Sequence, residues 1–334
     1  LAVMSRAEPR TPAGLPPGKP RVSGAYLPRS SPRCISSPTM NENAARPFDR
    51  QLAERRRQRA LANGPADFLF NAVADDLALR LSAVQRDFET ALDLHGATGG
   101  MAALMAANPK VGKVWRCEAS PVWLAGSGVV CDAEALPFAP DTLDLAVSCL
   151  GLQWVNDLAG SLVQLRRAMR GDGLLLMAIV GGDSLAELRE SLVTAEIELT
   201  GGAAPRVAPM VDIRGLGALA GRAGFALPVC DVDTLTIRYD NMFALLRDLR
   251  AMGATSPLNE RSRKPLRRAV LLRAAEIYAQ RYSDADGRVR ARFDILHLST
   301  WAPHESQPKP LKPGTAKMRL ADVLPARKTR DEER

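Results

Sequence analysis

Four acidic residues accompany successive apolar runs between residues 91 and 157, and this pattern constrains the fold more than any other feature. They are Asp93, Glu118, Asp132 and Asp144. The first run, residues 90–94, is typical of a buried parallel strand whose carboxyl end opens into a glycine-bearing turn. Ligands of open α/β sheets bind at these carboxyl ends. The chain is therefore predicted to form a nucleoside-binding α/β sheet.

Apolar runs and turn residues predict the rest of the architecture. Strand alternating with helix implies a mostly parallel sheet. We expect N-terminal helices within residues 40–86, a sheet domain over 87–302 and a helical insert at 241–282, before the last strand. The predicted strands cover residues 89–95, 111–118, 127–132, 143–150, 173–180, 229–239 and 292–302. Residues 303–334 are predicted to form an irregular tail.

The net charge of +8 is concentrated at the N-terminus, which argues against nucleic-acid binding. Residues 1–39 contain eight prolines and six basic residues against one acid, Glu8. That composition predicts a disordered tail, too rich in proline for the amphipathic helix of a mitochondrial presequence. The more ordered sequence opens at Met40, which we take as the natural start, and a genuine flexible arm is the alternative. The abundance of arginine, alanine and leucine favours a bacterial origin.

Cysteine and histidine usage predicts neither export nor a metal site. The five cysteines form no Cys-x-x-Cys pair, and four of them fall in predicted strands, so we expect reduced residues in the core. The histidines, His95, His297 and His304, are too scattered in the sequence to predict a metal site. No apolar run approaches the roughly 18 residues of a membrane span, and no signal peptide is evident. A cytoplasmic location is expected.

The turn after the first strand, ALDLHGATGG, is a candidate cofactor loop. Asp93 ends the strand, and Gly96 and Gly99 give the backbone freedom to approach a ligand closely. A typical S-adenosylmethionine (SAM) loop has glycines where this chain has His95 and Ala97. Taken alone, the segment fits an ordinary strand-to-helix turn equally well.

Two later carboxylates make SAM the leading ligand. Glu118 lies 25 positions after Asp93, close to the spacing of about 20 at which dinucleotide folds place a carboxylate on ribose. Asp132, followed by Ala133, is predicted to accept from the adenine amino group, with Leu136 and Phe138 beside the ring. The alternatives are a solvent-facing Glu118 and ordinary core roles for the two apolar residues.

The segment after the fourth sheet strand, LQWVND, is where the reacting end of a donor should project. Gln153 and Trp154 are therefore candidates for the substrate pocket, although a tryptophan beside a strand end often serves packing alone. Ser148, near the end of that strand, joins the predicted cofactor contacts.

Several longer segments resemble one family in particular. LQWVND, GGDSLAELR and HESQPKP, within a match from about Phe48 to Leu324, resemble the mitochondrial complex I assembly factors described as arginine hydroxylases and their bacterial relatives. That family is similar to class I SAM-dependent methyltransferases and, among them, to malonyl-carrier-protein O-methyltransferases. The resemblance implies a seven-stranded SAM-type sheet, with Asp93, Gly96 and Gly99 in the first cofactor motif. It also implies Glu118 in the ribose motif and Asp132 in the adenine motif.

Three functions follow from these observations. The first is a SAM-dependent methyltransferase-like enzyme that acts on a complex I subunit. Methyl transfer needs alignment and exclusion of water rather than a nucleophilic triad, and the sequence has no triad motif. The second is an assembly factor that binds SAM weakly or hydroxylates arginine, although no facial triad of two histidines and a carboxylate is recognisable. The third is methyl transfer to a malonyl thioester.

Overall fold

A computed structural model describes residues 3–4 and 46–308 of the chain. The predictions for residues 5–39 and 309–334 therefore lie outside the described residues. The helices are α1 (Arg50–Ala62), α2 (Phe68–Ala83), α3 (Gly100–Ala107), α4 (Leu158–Ala168), α5 (Ala186–Thr200), α6 (Ile213–Arg222), α7 (Met242–Ala251) and α8 (Arg268–Tyr282). The strands are β1 (Val3–Met4), β2 (Phe88–Leu94), β3 (Val111–Glu118), β4 (Val129–Val130), β5 (Leu143–Cys149), β6 (Met169–Gly181), β7 (Ala226–Tyr239) and β8 (Val289–Trp301).

These strands form one sheet in the order β1-β7-β8-β6-β5-β2-β3-β4. Strands β2 to β6 pair in parallel, whereas β8 runs antiparallel to both of its neighbours, β6 and β7. The seven strands expected from the sequence are all present, and the two-residue β1 adds an edge beside β7. The mostly parallel α/β sheet is thus confirmed.

The central strands form because both faces of the sheet are covered. Every residue of β5 is buried, as expected for a strand between two helical layers. One apolar core lies under α2, α5, α7 and α8, and the other lies under α4 and α6. Among the described residues, no helix is long and apolar enough to cross a membrane.

The helical insert follows β7 and supplies α7, a long connection and α8. Within that connection, residues 252–262 pack against the N-terminal helix α1. Asp49 is the N-cap of α1. Its carboxylate accepts a hydrogen bond from the Leu52 N–H and forms an ion pair with Arg261. The Arg56 guanidinium donates to the Thr255 and Ser256 carbonyl oxygens. These contacts fix α1 over the carboxyl edge of the sheet.

Candidate functional site

Asp93 and Glu118 meet at the carboxyl edge because β2 and β3 are parallel neighbours in register. Asp93 is paired with Arg116, and Glu118 follows two residues later on the same face of β3. The Arg116 guanidinium lies 3.7 Å from Asp93 and 3.9 Å from Glu118, and donates to the Ala97 carbonyl oxygen at 2.8 Å. A single cation thus stands beside two buried carboxylates.

Both carboxylates are almost inaccessible, with exposed fractions of 1% for Asp93 and 0% for Glu118. Among the described residues, no side-chain oxygen of either makes a hydrogen bond of standard geometry. Burial raises the pKa of Glu118 to about 8 even with Arg57 nearby, and raises the pKa of Asp93 to about 6 even with Arg116 nearby. Buried acceptors without donors are costly. Donors from a ligand would relieve that cost.

The loop after β2 has non-glycine residues at two positions where the backbone is left-handed. His95 has φ 55° and Ala97 has φ 50°, a region that costs energy for residues with a β-carbon. Gly96 lies so close to Asp93 that a β-carbon would collide with its carboxylate, and Gly99 opens α3 with φ 81°. The predicted loop residues therefore do converge around Asp93.

The His95 ring is buried and bound to the next strand connection. Its Nε2 lies 3.3 Å from the Cys131 carbonyl oxygen, and its backbone N–H donates to the Cys117 carbonyl oxygen. Burial and the nearby Arg57 lower the pKa of His95 to about 4. The imidazole is therefore neutral near pH 7, and it replaces the loop's expected glycine with a packed side chain.

Asp132 lies beyond β4 and is bound by α1 rather than standing free. The Arg50 guanidinium bonds the Asp132 carboxylate and forms a 2.8 Å ion pair with Glu134. Ala133 is fully buried, and Ser148 Oγ donates to the Leu94 carbonyl oxygen, which ties β5 to β2. Asp132 and Ala133 line the same edge as Glu118, and their assignment to adenine remains a prediction. The Ser148 hydroxyl is already used within the sheet.

Cys117 and Cys131 form a disulfide, so the prediction that all cysteines are reduced is wrong for this pair. The reason is the short parallel pairing of β3 with β4, which brings the two Cα atoms within 5.9 Å, inside the usual range for a disulfide. Sequence spacing alone contained no such signal. Cys149 and Cys230 are free.

Helix α1 covers this edge through Arg57. The Arg57 guanidinium lies 3.9 Å from the Glu118 carboxylate and stacks 4.9 Å from the centre of the Trp123 ring. The Trp123 indole N–H donates to Glu54 of the same helix at 2.8 Å. The backbone of the same turn of α1 packs closely against Gly253 of the insert, so a β-carbon at residue 253 would collide with the Arg57 backbone. One helix therefore contacts both Glu118 and the insert.

A cavity of about 270 Å³ continues from this edge between α1, α2 and the insert. Most of its walls are apolar or aromatic, and they include Phe48, Phe70, Leu152, Trp154, Met210 and Met252. Trp154 packs edge-on against Phe48 with ring centres 5.3 Å apart. Polar groups on the walls include Gln153, whose buried Oε1 has no hydrogen-bond partner among the described residues. Both predicted pocket residues, Gln153 and Trp154, therefore line the cavity.

Asp67 stands at the rim of the same cavity and was not predicted. It is the N-cap of α2, yet its exposed carboxylate makes no capping hydrogen bond, nor any other hydrogen bond or ion pair with the described residues. Arg116 was also missed, although its position two residues before Glu118 places both on one face of a strand. In contrast, the roles of Trp123 and Glu134 carry no sequence signal. The partners of Trp123 lie on α1, and Glu134 binds both Arg50 of α1 and the backbone N–H groups of Asn156 and Asp157.

The residues present fit a nucleoside ligand such as SAM. A ribose diol offers two hydroxyl donors, and Glu118 offers two buried acceptor oxygens without donors. The left-handed loop and the start of α3 lie directly beside Asp93, where backbone can approach a ligand. Within the described ranges, no group of three His, Cys, Asp or Glu side chains is placed to bind a metal ion.

This fold and edge define a methyltransferase-type α/β domain, and the sequence agrees. Residues 92–177, from β2 through most of β6, match the family described as Methyltransferase domain. Over most of its length the chain also matches proteins named arginine-hydroxylase NDUFAF5, mitochondrial. It belongs to that family.

The similarity to named relatives extends well beyond the sheet. The Danio rerio protein is 36% identical over 83% of this chain and 89% of its own length. The Homo sapiens protein is 36% identical over 88% of this chain and 86% of its own length. A malonyl-[acyl-carrier protein] O-methyltransferase of Laribacter hongkongensis is more distant, at 31% identity over 71% of this chain and 84% of its own length. The expected family and its remoter methyltransferase relatives are thereby confirmed.

Proposed function

We propose that this protein is a SAM-dependent methyltransferase-like enzyme that modifies a side chain of a protein, in the assembly of respiratory complex I. One observation carries the proposal. Buried carboxylate oxygens without donors lie at the carboxyl edge of the sheet, and a mostly apolar cavity opens beside them. A nucleoside donor suits the first feature and an inserted acceptor side chain suits the second.

The cofactor would be held by residues from three strand ends. Glu118 would accept from the ribose hydroxyls, Asp93 would fix the loop at Gly96 and Gly99, and Asp132 would lie at the adenine end. When bound, SAM supplies an electrophilic methyl group on a sulfonium. A neutral His95 would add no positive charge to the cofactor site.

The cavity residues would position the acceptor and exclude water. The apolar walls suit the aliphatic stem of a long side chain, and Gln153 Oε1 is a buried acceptor that an N–H of the acceptor group could satisfy. The Asp67 carboxylate at the rim would favour a cationic acceptor. An arginine side chain has these properties, which accords with the name of the relatives.

Hydroxylation of arginine is the second candidate, and the relatives' printed names favour it. His95 and Ala97 also replace glycines of the usual SAM loop, which points to weaker cofactor binding. Methyl transfer to a malonyl thioester is a more distant candidate, since the relative with that name is the less similar one. A bacterial cytoplasmic location remains part of the proposal, whereas the arginine-hydroxylase relatives named above are described as mitochondrial.

Two measurements test the proposal. Calorimetric titration of the full chain with SAM and with S-adenosylhomocysteine should give saturable binding at one site. Intact-mass analysis of an arginine-containing peptide after incubation then distinguishes a gained methyl group from a gained oxygen. Gln153→Leu should reduce turnover while S-adenosylhomocysteine affinity is retained. If neither nucleoside binds, the cofactor assignment is wrong.

A further inference from the structure

Two basic segments adjoin the parts of α1 and of the insert that line the cavity. One is the exposed side of α1, and the other is the stretch 261–268 between α7 and α8, which contains five basic residues and no acid. The Arg261 guanidinium reaches Asp49 at the start of α1, so the segments are joined. We call the exposed cations of both segments the basic rim: Arg55, Arg59, Arg263, Lys264, Arg267 and Arg268.

The rim has little internal neutralisation. None of its six side chains makes a hydrogen bond or ion pair with another described residue. The acids nearest in sequence are mostly engaged elsewhere, because Glu54 faces Trp123 and Arg57, and Asp49 pairs with Arg261. Glu260 is the exception and stands exposed beside the rim. Positive charge is thus concentrated beside the elements that line the cavity.

Crowding of like charges supports the same conclusion. Burial and the nearby Arg261 lower the pKa of Arg56, with a smaller contribution from Arg59. The Arg56 guanidinium is held by the Thr255 and Ser256 carbonyl oxygens, so the segments stay together in spite of their repulsion. A folded protein that keeps such a cluster beside a cavity gains most when a complementary charge binds there.

We propose that the basic rim binds an acidic polypeptide segment next to the residue that enters the cavity. The inference rests on the proposed function, because it takes a protein as the substrate. An acidic polypeptide is favoured over nucleic acid because neither 55–59 nor 261–268 contains an aromatic residue on which bases could stack. An acidic flank would also bring an attached cationic side chain towards Asp67.

Binding of a short fluorescein-labelled polyglutamate peptide to the full chain, followed by anisotropy, tests this directly. The triple variant R263Q/K264Q/R268Q should bind about tenfold more weakly, and the wild-type affinity should fall steeply with added salt. The matched control removes three exposed arginines on α4 and α6 that have no ion pair among the described residues, as R167Q/R214Q/R222Q. Both variants keep the basic N-terminal segment and the same net charge.

The outcomes separate the alternatives. The proposal is supported if the control variant stays within about twofold of wild type while the rim variant loses binding. It is overturned if both variants weaken equally, or if an oligothymidylate of similar charge binds as tightly with the same dependence on the rim. R55Q/R59Q provides a second rim variant if the first fails to fold. S-adenosylhomocysteine titration of each variant reports on the cofactor site separately, so failure there would count against the proposed function and not against the rim.

Discussion

The guanidinium of Arg57 lies 3.9 Å from the Glu118 carboxylate, although the two residues come from the N-terminal helix and the end of β3. The carboxylate is fully buried, and Arg57 is the nearest cation on the covering helix. The cover and the floor of the candidate cofactor site are therefore electrostatically linked. The first predictions concern that link.

Glu118→Ala is expected to weaken S-adenosylhomocysteine binding. Above pH 8, where Glu118 is ionised, loss of this charged acceptor of the ribose hydroxyls should cost about 1.5–3 kcal/mol, roughly ten- to hundredfold in affinity. Calorimetry on the folded variant provides the measurement, with Glu134→Ala as a control carboxylate on the same edge. Unchanged affinity in a folded Glu118→Ala protein would remove Glu118 from the ribose role.

Stability of the ligand-free protein should fall as pH rises towards 8. The pKa of Glu118 is about 8 in the folded chain, against an ordinary 4.5, so the folded state holds a proton that the unfolded state has lost in this interval. Stability therefore decreases from about pH 4.5 to 8, by on the order of a few kcal/mol. Melting temperatures across this range test the slope.

The Glu118→Gln variant separates the two buried acids. Asp93, with a pKa of about 6, also lowers the free energy of unfolding as the pH rises. Its effect ends just above pH 6, where its carboxyl is ionised in the folded chain. The stability of the Glu118→Gln variant should therefore still fall with rising pH up to about pH 6 and stay constant above it. A decline above pH 6 equal to that of wild type would show that another group is responsible.

Helix α1 is expected to act as a lid. Hydrogen exchange of residues 50–59 should slow when S-adenosylhomocysteine binds, because a closing lid excludes water from the site. Residues 216–222 of α6, which do not line the cavity, serve as an internal control. Protection confined to the ends of β2 and β3 would mean that α1 is a static cover.

Arg57→Ala should loosen that lid. Removing the stack on Trp123 and the ion pair with Glu118 should speed S-adenosylhomocysteine release about 2- to 30-fold, the range of a cation–π contact. Stopped-flow displacement measures the rate. Arg55→Ala, an exposed neighbour on the same helix, is the matched control and should leave the rate unchanged.

Removal of residues 1–39 is expected to leave the melting temperature and cofactor affinity almost unchanged. The reason is compositional, since eight prolines and no apolar period give that segment little to bury, and the described contact with the sheet is the two-residue pairing of β1 with β7. A shortened chain that begins at Met40 can be compared with the full chain by thermal denaturation. A loss of several degrees would contradict the expectation and indicate that the segment docks on the domain.

Local patterns predicted the sheet well, because a buried strand must be apolar along its whole length. The runs ending at Asp93 and Glu118 become β2 and β3 with their acids at the same edge. Strand β6 begins earlier than expected, at Met169, because its backbone pairs with β5 from Leu143 onward and ends α4 at Ala168.

The chemistry around those acids could not be predicted in the same way. The bond from Arg50 to Asp132 spans 82 positions, and the Cys117–Cys131 pair depends on a two-residue strand. Such contacts arise from the placement of a helix over the sheet, which no periodicity encodes. Arg116 is different, since a period of two along β3 would have placed it beside Glu118.

The position of α1 has a kinetic consequence. Arg50 and Arg57 of this helix reach Asp132 and Glu118, while Arg57, Ala60 and Leu61 line the cavity. A displacement of α1 that would admit a nucleoside would therefore also open the cavity to the protein substrate. In the proposed function both reactants would enter past α1, so we expect ordered binding: the nucleoside would load before the protein substrate, and its product would leave after the modified protein has dissociated.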